Sequence, residues 1–147
     1  MMYQPVLNAL QEQVECYRRL AKLAELQHVH VQQNQTEELL DVLQRRQGVL
    51  DQINHHETVI APAKKRWVDF AATMPADSRE RSESLLEEAK RLLQEITAAD
   101  QNDVLVLQQR KLNIGRQINQ TTAAKQVNRT YATAAYGTRN TRMDVSR

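Results

Sequence analysis

Four histidines, 18 carboxylates and one cysteine are the residues of this chain that could bind a metal or act on a substrate. His28 and His30 are two apart, about 200° around a helix, so they face away from each other. His55 and His56 are adjacent, and Glu57 beside them does not complete a His-x-x-x-His pair. A helical zinc site needs ligands at i and i+4 plus a third. The expectation is therefore no metal, with His28 filling a helix seam and the other three solvated. The carboxylates fall beside Lys and Arg at helical spacing, as at Glu87 and Arg91, which reads as a solvated face. Walker, dinucleotide-loop and nucleophile-elbow patterns do not occur. Cys16 has no second cysteine to pair with and reads as a small buried hydrophobe. No set of catalytic groups can be assembled from these pieces, so neither an enzyme nor a cofactor is expected.

The elements that carry these residues are helices. Gln, Leu, Ala, Glu and Arg dominate 147 residues that contain only three Gly and three Pro, a helix-forming alphabet with little turn or strand chemistry. No apolar run approaches the roughly 18 residues of a membrane span, and no secretory signal opens the chain. An all-α, soluble, cytoplasmic protein without membrane insertion is expected. The net charge of +2 hides an asymmetry. Residues 1–103 hold 12 Lys/Arg against 17 Asp/Glu, and residues 104–147 hold 8 against one, Asp144. An acidic body and a basic end should meet different partners, or the basic end should lie on the acidic body.

Three long helices follow from the periodicity, at about 5–31, 36–73 and 77–131. In the first, Leu7, Leu10, Val14, Tyr17, Ala21, Ala24, His28 and Val31 form a heptad seam, and Pro5 fits its first turn. Asn34 with Glu37 resembles a capping box for the second helix. Its apolar stripe is Leu39, Leu43, Leu50, Ile53, Ile60, Trp67 and Phe70, and Pro62 predicts a kink near residue 61. Pro75 ends that helix and Asp77, with Glu80 three residues on, caps the next. The third helix presents Leu85, Leu86, Ala89, Leu92, Leu93 and Ile96. Its face is interrupted by "DQND" (100–103), read as an exposed turn of helix ahead of the alternative of a buried polar device that sets register, and carried on by Val104, Leu105, Leu107, Leu112, Ile114 and Ile118. Residues 1–137 read as one helical domain and 138–147 as a flexible tail.

At about 1.5 Å per residue the third helix is the longest rod, and an antiparallel partner reaches only to around residue 114. The predicted fold is an elongated antiparallel bundle, a coiled-coil hairpin of three long helices. The segment 114–137 is then either an under-covered end or a fourth helix folded back. Leu105 and Leu112 fit core positions, whereas Ile114, Ile118, Val127 and Tyr131 fit contact with a partner helix laid in a groove. The tail carries two tyrosines without repeated aromatic–basic interleaving, so no nucleic acid is expected.

The stretch "LNALQEQVECYRRLAKLAELQHVHVQQNQTEELLDVLQRRQGVLDQI" resembles the opening of FlgN-type flagellar export chaperones and their FliT-type relatives. A Leu/Tyr heptad helix, a short polar break and a segment with Leu39, Leu40, Leu43 and Arg46 carry the resemblance. "LLQEITAADQNDVLVLQQRKLNI" resembles the family's long last helix. Tyr136 followed by Arg142, Met143 and Asp144 looks like its aromatic-then-Arg/Asp terminus. "RWVDFAATMP" departs from the pattern. The resemblance implies a cytosolic, non-enzymatic chaperone of type III export. Such a chaperone holds the C-terminal helical segment of hook-associated (hook–filament junction) proteins, prevents premature assembly and delivers them to the export gate. Carried onto this sequence, Leu112, Ile114, Ile118 and Val127 would bind the client, and Tyr131 or Tyr136 the gate. A homodimeric structural or adaptor coiled coil is the second reading.

Overall fold

The computed structural model describes residues 2–136, with side chains for 2–127. The described residues are all-α, in four helices: α1 (Gln4–Gln32), α2 (Thr36–Lys65), α3 (Trp67–Ala72) and α4 (Ala76–Tyr136). The expected tail, 138–147, with Arg142, Met143 and Asp144, lies outside the described residues. The chain divides into two units, Met1–Val104 and Leu105–Arg147.

In the first unit α1 packs on α2 and on the first half of α4. Leu7, Leu10 and Val14 of the expected seam are buried together with Ile60 and Ala63 of α2 and Leu85 and Leu92 of α4. A second cluster joins Cys16, Leu20 and Ala24 to Val49, Ile53 and Ile96. Cys16 is thus the buried small side chain expected of it. Gln13 donates to the Ile53 carbonyl (3.3 Å), Arg19 to Gln52 (2.8 Å) and Arg46 to Gln27 (2.5 Å). Rising numbers on α1 meet falling numbers on α2, so these two helices are antiparallel. Arg18 meets Glu88, and Gln27 meets Asp103, so α1 and α4 run the same way.

The connections differ from the sequence expectation in instructive ways. Asn34 does not cap α2. It sits in the left-handed region (φ 56°) and closes α1 instead. The Gln35 N–H bonds to the His30 carbonyl (2.9 Å) and the Asn34 N–H to the Val31 carbonyl (3.2 Å), a Schellman ending with Asn in the usual glycine position. Pro62 does not interrupt the helix near 61. Helix α2 continues to Lys65 and breaks at Arg66. Pro62 deprives the Thr58 carbonyl of its donor, but both residues are on the exposed side, where water can serve that carbonyl. Trp67 and Phe70 of α3 then lie against the first core cluster. Asp77 is not a cap either. The Pro75 carbonyl accepts the first α4 bond, from the Arg79 N–H (2.9 Å), and Asp77 lies within the first turn, where its charge suits the helix dipole. The Arg79 guanidinium binds back to the carbonyls of Ala71 (3.1 Å) and Met74 (3.3 Å), tying the α3 end to the α4 start.

Candidate interaction surface

Two places in the chain hold residues that a partner could use. The first is a polar layer inside the first unit. Asp103 is only 1 % exposed. Its carboxylate accepts from Gln27 Nε2 (3.1 Å) and lies 2.8 Å from His28 Nδ1. Arg46 of α2 grips Asp100 with both guanidinium nitrogens (2.6 and 2.7 Å) and also donates to Gln27. The hydrogen bonds it donates to Asp100 raise the Arg46 guanidinium above its ordinary value; desolvation opposes that rise, and the charges of Asp100 and Asp103 add to it. "DQND" is therefore no exposed turn. It places Asp100 and Asp103 on the inward face of α4, one turn apart, where α1 and α2 supply their donors. Among the described residues, every buried side-chain nitrogen and oxygen has a partner. A closed network of this kind is structural. It fixes the register of three helices by leaving a buried donor or carboxylate unpaired after any slip.

His28 is thus a half-exposed partner of Asp103 rather than an apolar seam filler. His30 binds Gln35 (2.6 Å), and His56 lies 3.5 Å from Glu12. Among the described residues no three His, Cys, Asp or Glu side chains gather as a metal site would require. No described helix is long and apolar enough to cross a membrane.

The second place is the helix of the second unit. None of residues 105–127 is buried. Leu105, Leu107, Leu112, Ile114, Ile118 and Val127 are between 41 and 64 % exposed. Leu105 and Leu112 were expected in a core and are not in one. In unit 1 the inward face of α4 ends in the carboxylate of Asp103, and the aliphatic residues beyond it belong to the other unit. The four residues singled out for client binding do not form one patch. At 100° per residue, Leu112 and Val127 share one side of α4, and Ile114 and Ile118 share the opposite side. Tyr131 and Tyr136 fall within the bounds of α4, but their side chains lie outside the described residues.

Compared with known proteins, the chain matches no protein-family model, and neither a curated protein nor a solved structure is similar to it.

Proposed function

We propose that this chain is a non-enzymatic, cytoplasmic export chaperone of the flagellar type, holding the C-terminal helical segment of hook-associated proteins until they reach the export gate. What supports the reading is the resemblance in residues 7–53 and 85–118, together with one observation: residues 105–127 carry seven large aliphatic side chains and none of these residues is buried. Large aliphatic side chains left exposed along a folded helix, on whichever of its sides, mark an interaction site. Leu112, Ile114, Ile118 and Val127 bind the client, and the gate contact falls to Tyr131 or Tyr136.

The mechanism is mass action. Covering aliphatic surface on both molecules contributes about 25 cal/mol per Å². Part of that gain is offset by ordering a helix that has little packing of its own. The resulting affinity is modest, which suits a partner that must be released.

The test uses the purified full chain and recombinant C-terminal segments of the hook-associated proteins encoded in the same genome, titrated by calorimetry. One-to-one binding is expected, weakened by I114A/I118A without a change in the main thermal transition. Absence of binding to every segment contradicts the proposal. A stable dimer in light scattering across concentration, with no client present, would favour the homodimeric adaptor instead.

A further inference from the structure

The helix of the second unit is apolar on two opposite sides. Turning 100° per residue, Leu105, Leu112, Arg116, Ala123 and Val127 fall within a strip about 60° wide. Leu107, Lys111, Ile114, Ile118 and Lys125 fall within a second strip about 60° wide on the far side of the helix. The flanks between them are mostly polar, with Asn113 and Gln117 beside Val106 and Ala124 on one side and Gln108 and Asn119 on the other. Each strip has coiled-coil spacing, and each contains cations: Arg116 near the midline of the first, Lys125 near the midline of the second and Lys111 at the second strip's edge. Residues 104–136 carry five Lys/Arg and no Asp or Glu.

We propose that residues 105–127 are gripped on both sides at once by an acidic two-helix partner. Each of its arms presents a Leu/Ile seam with an Asp or Glu facing the seam cations. This deepens the chaperone reading and rests only on its claim that the second unit binds a protein. A single docked helix covers one stripe and leaves the opposite stripe in water, whereas a hairpin covers both. The same segment of a second copy is a poor occupant, because Lys111, Arg116 and Lys125 would meet a stretch, 104–136, with no acid to answer them. A membrane-surface helix has one apolar face with its cations on the other, not two opposite apolar faces with cations within them. Single-stranded nucleic acid is held by aromatic stacking, and residues 104–130 contain no aromatic side chain.

The test titrates the full chain with a labelled synthetic helical hairpin whose arms span this length, with Leu/Ile seams and glutamate at the seam breaks. Comparison probes are one isolated arm, the same hairpin with lysine for glutamate, a single-stranded oligonucleotide and phosphatidylglycerol vesicles. The glutamate hairpin should bind at least about a hundredfold more tightly than the single arm, because the second arm docks intramolecularly. Both L105A/L112A and I114A/I118A, which keep helix propensity, should weaken it by at least about tenfold. K111E/R116E should move preference to the lysine hairpin. Equal binding of arm and hairpin, sensitivity to only one of the two alanine pairs, no hairpin binding, or tighter binding to vesicles or oligonucleotide would each overturn the inference. The hook-associated segments, tested with the same two alanine pairs, separate the two claims. If they bind and only one pair matters, the chaperone reading stands and the two-sided grip fails. If they do not bind while the hairpin does so through both strips, the grip stands and the flagellar assignment fails.

Discussion

Asp103→Ala is the substitution whose cost the first unit specifies most closely. The carboxylate is 1 % exposed and accepts from Gln27 Nε2, on a side chain that is itself 7 % exposed. Alanine leaves that amide nitrogen buried with no acceptor, a loss of about 1–3 kcal/mol. His28 is half exposed and can turn to water, so it adds little. Arg46 keeps Asp100 through two bonds, so the α2–α4 tie survives. A net loss of about 2 kcal/mol is expected, which at about 4 °C per kcal/mol for a unit of this size lowers the melting temperature by about 8 °C. Far-UV circular dichroism melting at neutral pH reads it. The double variant Gln27→Leu with Asp103→Leu removes donor and acceptor together. It should be less destabilised than the sum of the singles by about 1 kcal/mol or more. A melting shift below about 2 °C for Asp103→Ala, or strict additivity in the double variant, would refute the argument that this layer is a closed buried network.

Other perturbations test other parts of the account. Asn34→Val should destabilise by about 1–2 kcal/mol in chemical denaturation, because a β-branched residue resists φ near 56°, whereas Asn34→Gly should be neutral or better. Gly115→Ala should raise helicity in the second unit, with a gain of up to about 1 kcal/mol, since an added Cβ meets nothing within 4 Å. Tyr17 is held above the ordinary tyrosine value of 10.0, first by burial and then by the charge of Glu57. A group whose folded value is raised stabilises fully below its unfolded value and loses that contribution as pH climbs through the folded one. Tyr17→Phe should therefore lose less stability than the parent above pH 10, in denaturation midpoints measured across the alkaline limb.

The fold class was legible because α1 and α4 carry heptad apolar spacing and almost no helix breakers. The packing of α2 was not. Its inward line is Val42, Arg46, Val49, Ile53, His56, Ile60 and Ala63, at spacings 4-3-4-3-4-3, with the buried members set among partly buried ones. Two of those seven positions are basic, and Leu40 and Leu43, which look like core, are exposed. Hydrophobicity alone reads such a stripe wrongly, because Arg46 is inside only by virtue of Asp100 and Gln27 on other helices. The same holds for Asp103. Local pattern cannot show a carboxylate as buried when its donors lie 75 and 76 residues away. Asn34 and Asp77 both satisfied a capping pattern, yet backbone geometry used one in a left-handed turn and the other at two positions past the cap. On the candidate surface, the exposed aliphatic residues were legible as candidates, and their division between two opposite strips follows from turning 100° per residue along the one helix that carries them.

Amide hydrogen exchange on the intact chain, read by mass spectrometry with and without a bound hook-associated segment, tests the central claim most directly. The account predicts that amides of residues 105–127 exchange orders of magnitude faster than those of residues 80–100 in the free chain, and become protected when the segment binds. Protection of residues 105–127 in the free chain equal to that of residues 80–100 would contradict it, because those aliphatic side chains would then already be covered.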